Sequence, residues 1–299
     1  MNKFKYSEGT FLEEIEEGTL YHYTDSSGLL GILTNQSLWV TKSNFLNDRT
    51  EISYIDDVIK AAINKLLPHS MANKLVKLIL SELSYLRGIN ENALKAQNYY
   101  ICSLSTNPDS LTLWSEYSNH YGYNIGFDVS KLRNILDDKD SDVPLNVHGK
   151  VIYDFDQQCS LIMDEIKKTK ILEFNNEKEG SEAKEEIKHF SVVLLLYSFF
   201  LKSPVFAQEE EYRIVFFQHN HPKGNKRLNN EIYFRDRIGV FLPYIKVQLI
   251  DQNSKLPIRR ITIGPKHNID IAEQGLELFL LKSKYENVEL IRSSIPLRF

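Results

Sequence analysis

The sequence predicts an α+β fold, in which short strands and helices follow one another without the regular strand–helix alternation of parallel α/β proteins. Short β-prone runs bounded by turn residues recur along the chain, beginning with residues 19–23. Between them, apolar residues repeat at helical spacing, as at Ile52, Ile55, Ile59 and Ile63. The last third of the chain returns mainly to strand-like runs. Such a succession favours mixed sheets with helices inserted between the strands.

Periodicity, capping residues and chain breakers predict each element in order. After the first strand, Thr24 or Asp25 caps a helix that ends at Asn35. The other predicted strands are residues 37–40, 99–105, 123–128, 148–153, 212–217, 232–235, 240–242, 260–263 and 288–291. The other predicted helices are residues 49–67, 71–86, 111–117, a helix from Ser130, two segments within 156–202, and residues 269–281.

We expect a single α+β domain over residues 1–299, with helical insertions at about 49–97 and 156–203. The length alone is compatible with one large domain or two ordinary ones. The most informative polar residues lie near both ends of the chain, which favours one domain.

The composition is typical of a soluble globular protein, with 42% hydrophobic and 25% charged residues. The net charge of −4 gives no general electrostatic reason to expect nucleic acid or an anionic membrane as a partner. The N-terminus lacks the apolar segment of a secretory signal, and the most apolar run, residues 192–201, is shorter than the roughly 20 residues that span a bilayer. We therefore expect a cytoplasmic protein with no membrane partner.

Several common chemistries have little support in the sequence. Cys102 and Cys159 form neither a zinc-ligand spacing nor a C-x-x-C pair, so we expect no metal site. The glycine fingerprints of dinucleotide-binding and P-loop proteins do not occur, and neither does the G-x-S-x-G motif of many serine hydrolases. A nuclease would need a metal-binding acid cluster, and no convincing one is present.

The first candidate site residue is His22, in the first predicted strand. Alternation along a strand sends His22 and Thr24 to one face and Tyr21 and Tyr23 to the other. A lone histidine in a strand is more often a structural, hydrogen-bonded group. Together, however, His22 and Thr24 could form hydrogen bonds to a ribose diol.

A run of three acids before a late strand is the second candidate. If the strand includes this run, Glu209 and Glu211 point to one face and Glu210 to the other. Like charges on one face repel, and Arg213 on the same face could offset them as an ion-pair partner. The run is either a solvated strand start or a site in which a carboxylate holds a ribose hydroxyl while positive charge develops on the sugar.

Two further places leave alternatives open. In one interpretation, Asn47 or Asp48 is an ordinary helix N-cap and Glu51 lies in the first turn. In the other, this loop is a pocket wall from which Asn44 or Asn47 reaches a ligand. Ser103 and Ser105 alternate on a predicted strand, where ordinary sheet positions are the simplest interpretation.

Six short motifs follow one another along the chain, each weak alone. They are Tyr21-His22-Tyr23-Thr24, Leu38-Trp39, Asn47-Asp48-x-x-Glu51, Cys102-Ser103-x-Ser105, Leu113-Trp114-Ser115-x-Tyr117 and Glu209-x-Glu211-Tyr212-Arg213. As an ordered set, from about residue 19 to residue 265, they resemble the bacterial domain-of-unknown-function family DUF2971. That family is in turn distantly similar to the ADP-ribosyltransferase fold.

The resemblance implies ADP-ribosyltransferase-like mixed sheets around a cleft, with NAD as substrate. It assigns His22 with Thr24 to the ribose and adenosine side of NAD. It assigns Glu211 or Glu209 to orienting the nicotinamide ribose and stabilising the transition state, with Arg213 positioning the acids or meeting a phosphate. The middle residue of the catalytic set stays open among Tyr100, Ser103 and Ser105. The implied NAD-binding set is His22, Tyr23, Thr24, Asn47, Ser103, Ser105 and Arg213.

The function that this resemblance implies is NAD-dependent transfer of ADP-ribose to a protein or nucleic acid, in a bacterial toxin or phage-defence effector. The alternative is a non-catalytic module that binds a nucleotide or a partner protein in the same cleft. The two differ in whether bound NAD is consumed.

Overall fold

The computed structural model describes residues 13–46, 53–87, 97–138, 142–173, 181–219, 231–237, 239–266 and 269–297. These residues form a ten-stranded mixed sheet with helices on both faces, which confirms the α+β class. The strands are β1 (Thr19–Thr24), β2 (Leu38–Lys42), β3 (Gln97–Ser105), β4 (Tyr123–Asp128), β5 (Asn146–Lys150), β6 (Glu211–His219), β7 (Ile232–Arg237), β8 (Val240–Val247), β9 (Ile258–Ile263) and β10 (Glu289–Arg292). The helices are α1 (Ser26–Asn35), α2 (Ile55–Leu66), α3 (His69–Leu86), α4 (Leu111–Ser118), α5 (Val129–Asp137), α6 (Phe155–Lys167), α7 (Ser181–Ser198) and α8 (Ile269–Lys282).

The sheet is organised around β3. Its main order is β10-β9-β4-β1-β3-β2-β8-β7, and β6 pairs with the whole of β3 and carries β5 on its other side. Two strands share the remaining edge of β3: β1 pairs at Ser105 through Tyr21, and β2 pairs at Ile101 through Thr41. Between these two contacts β1 and β2 separate. We call this gap along residues 101–105 of β3 the split.

Alternate side chains of β3 and β6 contribute to two different cores. Cys102 and Ile214 belong to a core with α1, α5 and α8, whereas Ile101 and Val215 belong to a core with α2, α3, α6 and α7. A smaller cluster joins α4 to the tyrosines of β1. The period of two in a strand therefore divides the helices between the two faces of the central strands.

Most predicted elements are present with shifted ends. Asp25 is the observed cap of α1, since its side chain accepts a hydrogen bond from the amide of Gly28. The extended run predicted for residues 148–153 ends early, because β5 stops at Lys150 and Ile152 makes only an isolated bridge to Leu201. Residues Pro204–Glu209 form a 3-10 helix that the sequence did not predict.

Two observations concern the expected environment of the chain. Among the described helices, none has both the length and the apolar character that crossing a membrane requires. Cys102 and Cys159 are both free and buried.

Candidate functional site

Glu209 and Glu211 meet at one buried cation, the ammonium group of Lys202. Lys202 Nζ lies 3.0 Å from Glu209 Oε2 and 3.4 Å from Glu211 Oε1. The guanidinium of Arg213 contacts Glu211 Oε2 through Nε at 2.7 Å and Nη2 at 2.6 Å. Its Nη1 donates to the carbonyl of Phe199 at 2.8 Å. The arrangement confirms the predicted ion pair between Arg213 and Glu211 and adds a second cation.

The structure corrects the placement of Glu209, which does not lie on the strand. Strand β6 begins at Glu211, and Glu209 is the last residue of the 3-10 helix that Pro204 begins. Glu210 joins them in a left-handed conformation, with φ of 46°, and its exposed side chain accepts a hydrogen bond from Asn107 Nδ2 at 2.9 Å. Glu210 therefore lies in exposed surroundings, whereas Glu209 and Glu211 share one buried cation and still repel each other.

The two acids of the cluster titrate in opposite directions. Burial and the charge of Glu211 raise the pKa of Glu209 to about 7, although Lys202 acts against this shift. Burial also acts to raise the pKa of Glu211, but the charges of Arg213 and Lys202 prevail and hold it below its ordinary value. Near neutral pH the pair thus combines an ionised carboxylate with one that readily gains or loses a proton. Carboxyl pairs with separated pKa values are a common basis for acid–base roles.

His22 lies at the split. Its Nδ1 is 3.5 Å from the carbonyl oxygen of Ser103 on β3. The ring keeps some exposed surface, but burial lowers its pKa to about 4; the contact with Ser103 opposes this shift, and the charge of Arg235 adds to it. The imidazole is therefore neutral at pH 7. If Nδ1 carries the proton and donates to Ser103, Nε2 remains as an acceptor.

Strand register places Glu211 on the same face of the sheet as Tyr21 of β1. Tyr21 pairs with Ser105, and Ser105 pairs with Glu211, so these three side chains share one face of the sheet. Neighbouring strands are about 4.8 Å apart, which puts the Cα atoms of Tyr21 and Glu211 roughly 10 Å from each other. Strict alternation would turn His22 to the opposite face, where Leu20 enters the core.

The pairing of β1 with β4 agrees with that alternation, because His22 lies opposite Ile125, whose side chain enters the same core as Leu20. Beyond Tyr21 no residue of β1 is paired with β3, and the ring of His22 instead approaches the β3 backbone at Ser103. The partner of Ser103 on β6 is Arg213, which binds Glu211. His22 and the acid cluster therefore approach the same strand pair, His22 at the backbone of Ser103 and the cluster through the side chain of Arg213. A single ligand that contacts both remains a prediction.

The other predicted site residues divide into groups with different surroundings. The hydroxyl of Ser105 donates to the carbonyl of Glu209 at 2.8 Å and accepts from the amide of Asn107 at 3.0 Å, so it fixes the turn before the acid pair. The hydroxyl of Tyr23 donates to the carbonyl of Asn107 and accepts from the amide of Ser110. Ser103 keeps a partly exposed side chain.

The two remaining predicted positions are Thr24 and Asn47. Thr24 packs against α1, where a Cβ added at Gly28 would lie 2.0 Å from its Oγ1. Asn47, together with Asp48 and Glu51, lies outside the described residues.

Lys202 and Arg235 are site residues that the sequence analysis missed. Lys202 directly follows the most apolar run of the chain, and a lysine in that position is a signal of a buried cation. Arg235 Nη2 donates to Thr41 Oγ1 at 2.8 Å, and its charge acts on His22. No local pattern predicts a contact between residues 194 positions apart.

Aromatic rings lie beside Arg235. The guanidinium carbon is 5.9 Å from the centroid of the Tyr244 ring, which stacks on Trp39 with centroids 5.2 Å apart. A Cβ at Gly31 of α1 would be 2.9 Å from the indole, so the glycine allows this close approach. Among the described residues, Arg235 Nε and Trp39 Nε1 are buried without a hydrogen-bond partner. A cation, a neutral imidazole and stacked rings thus occur close together near the split.

Comparison with known proteins agrees with part of the expected relationship. A model of the family described as "Protein of unknown function (DUF2971)" matches residues 113–214, about a third of the chain. The matched region contains Lys202, Glu209, Glu211 and Arg213, whereas His22 lies before it. No curated protein and no solved structure matches the chain. Over residues 113–214, which include the acid cluster, this chain is therefore similar to the DUF2971 family that its motifs suggested.

Proposed function

We propose that the protein is an NAD-dependent ADP-ribosyltransferase-like enzyme, acting in the bacterial cytoplasm as a toxin or phage-defence effector. The supporting observation is the acid pair, in which Glu211 stays ionised and Glu209 has a pKa of about 7. An ionised, buried carboxylate can hold a ribose hydroxyl and stabilise positive charge on the sugar. A carboxylate that titrates near neutral pH suits proton transfer from an acceptor.

The proposed reaction breaks the bond between the nicotinamide nitrogen and C1′ of its ribose. The bonding electron pair leaves with nicotinamide, whose ring nitrogen becomes neutral. A nucleophilic atom of a protein or nucleic-acid acceptor then bonds to C1′, and its proton passes to Glu209. Glu211 stabilises the charge on the sugar between these two events.

The groups near the split support a nucleotide as the ligand. Arg235 offers a cation for phosphate oxygens, and the Trp39–Tyr244 pair offers an aromatic surface for a base. Neutral His22 can exchange hydrogen bonds with ribose hydroxyls without adding a charge. This distribution agrees with the roles that the family resemblance implies for His22 and Glu211.

Release of nicotinamide from NAD tests the proposal. Purified protein is incubated with NAD and bacterial lysate, and free nicotinamide is quantified by chromatography. We expect wild-type protein to release nicotinamide and Glu211→Gln to do so about 100-fold more slowly, as for removal of one transition-state contact. Glu210→Gln is the matched control, because this neighbouring acid is exposed to solvent.

The thermal midpoint of each variant separates loss of chemistry from loss of folding. If a folded Glu211→Gln variant releases nicotinamide as fast as wild type, Glu211 has no catalytic role. If wild-type protein neither binds nor consumes NAD, the proposed function is wrong.

A non-catalytic nucleotide-binding module is the second candidate. The observation that favours it is the engagement of Glu211, whose two oxygens already contact Arg213 and Lys202 and whose side chain is only 6% exposed. Thermal shifts with NAD, ADP-ribose and RNA oligonucleotides distinguish the candidates. A shift with NAD that Arg235→Ala abolishes, without nicotinamide release under any condition, would favour the module.

A further inference from the structure

Helix α8 has a second apolar face that the described residues leave uncovered. Its inner face buries Leu276 and Leu280 in the core. On the outer face, Ile271 is 72% exposed, Leu278 69% and Leu281 59%. Apolar side chains of this size at helical spacing on a surface mark an interaction site. A Cβ added at Gly275 would meet nothing within 4 Å, which agrees with an open surface.

The spacing of this face matches one side of a two-stranded coiled coil. Ile271 and Leu278 are seven residues apart and take the a positions, and Gln274 and Leu281 take the d positions. With this register Glu277 occupies a g position and Lys282 the following e position. These are the flanking positions whose charges select the partner and its direction.

We propose that α8 pairs with α8 of a second copy of this chain, with the two helices parallel. In a parallel pair the g residue of one helix lies beside the following e residue of the other, so Glu277 of each copy meets Lys282 of its mate. The two-fold axis gives this ion pair twice. In an antiparallel pair the g positions face each other, which would bring the two Glu277 side chains together. Charge complementarity therefore favours the parallel direction.

The contact is short, since 14 residues of helix extend about 21 Å. An interface of this length lies at the small end of specific interfaces, so the dimer is reversible and depends on concentration. Both Glu277 and Lys282 are exposed in the single chain. Pairing them therefore breaks none of the ion pairs described for α8.

Sedimentation velocity over a range of protein concentrations is the first test. We expect a monomer–dimer equilibrium for wild type, and Leu278→Lys to weaken it about tenfold or more without changing the thermal midpoint of the diluted monomer. Leu78→Lys is the matched control, an exposed leucine on the outer face of α3. Wild-type protein that stays monomeric, or dissociation by Leu78→Lys and not by Leu278→Lys, would overturn the proposal.

Two further variants test the direction of pairing. Glu277→Gln is expected to weaken a parallel dimer, whereas it would strengthen an antiparallel one. Gln274→Cys is expected to give a disulfide-linked dimer on mild oxidation, because d positions face each other only in the parallel pair; the two native cysteines are buried. Lys77→Cys, at an exposed position of α3, is the control and should stay monomeric. Crosslinking of Lys77→Cys alone, or a stronger dimer with Glu277→Gln, would contradict the parallel arrangement.

Discussion

At the scale of single residues, Arg213 supports the acid cluster. Its guanidinium is fully buried and neutralises Glu211 through two nitrogens. Arg213→Met should cost about 3–5 kcal/mol, because it leaves a buried carboxylate without its main counter-charge. Arg213→Lys keeps the charge but not the two-nitrogen contact, so it should cost less. Urea unfolding measures both, and equal losses would show that shape rather than charge stabilises this position.

Glu209 gives the folded protein its own pH dependence. Because its folded pKa, about 7, exceeds its ordinary value, the folded state retains a proton that the unfolded state releases. The contribution of Glu209 to the free energy of unfolding therefore falls as the pH rises from its ordinary pKa of 4.5 to about 7. Glu211 has a lowered pKa, so its contribution is lost only at more acid pH.

The pH effect can be isolated by substitution. Between pH 5 and pH 8, Glu209→Gln should gain stability relative to wild type, on the order of 2 kcal/mol, since one pKa unit corresponds to about 1.4 kcal/mol. Denaturant titrations at both pH values measure the difference. Glu210→Gln should follow wild type at both. A constant offset between Glu209→Gln and wild type would contradict the raised pKa.

How far the sequence predicts these residues depends on the distance over which they interact. The Arg213–Glu211 pair follows from two positions on one strand face. Lys202 reaches the acids only after the chain turns back through the 3-10 helix, so strand spacing could not predict it. The strand placement of Glu209 was wrong because Glu210 adopts a left-handed conformation that its residue type does not signal.

At the scale of elements, helix α4 packs closely against the face of β1 that carries Tyr21 and Tyr23. A Cβ at Gly122 would lie 2.2 Å from the backbone oxygen of Thr24 and 2.2 Å from Ser118 Cβ. Gly122→Ala should therefore destabilise the protein by about 1–3 kcal/mol, the usual cost of overpacking. Gly275→Ala, at an open helix position, should be neutral or gain up to about 1 kcal/mol in dilute protein. Thermal unfolding of the two variants compares them directly, and equal midpoints would contradict the packing.

Strands and helices were predictable one by one, but their pairing was not. The apolar period and the turn residues define β1, β2 and β3 locally. That β1 and β2 share one edge of β3 depends on contacts between Tyr21 and Ser105 and between Thr41 and Ile101, far apart in sequence. The split is therefore a tertiary feature that no local pattern in the sequence predicts.

At the scale of the whole molecule, β3 and β6 connect the two cores. Ile101 and Val215 face the core with α2, α3, α6 and α7, which we call the helical core, while their neighbours Cys102 and Ile214 face the other. Because these strands serve both, we expect the cores to unfold together. The α+β class was predictable from the succession of elements, whereas the division of helices between the faces required the strand register.

Ile162→Ala tests this coupling. The side chain is fully buried in the helical core, and its truncation should cost about 2–5 kcal/mol. Far-UV circular dichroism follows the helices, and fluorescence follows Trp39 and Trp114, which contact α1 and β1. In urea both signals should shift to the same lower midpoint. If the helical signal were lost at lower urea concentrations than the fluorescence signal, the helical core would unfold alone.

The central claim is that one nucleotide binds His22 and the acid cluster at the same time. A crystal structure of the protein with NAD or ADP-ribose bound measures this directly. We predict a ribose hydroxyl within hydrogen-bonding distance of Glu211, and His22 in contact with the same ligand at the split. A ligand that contacts only one of these residues, or that binds elsewhere, would contradict the claim.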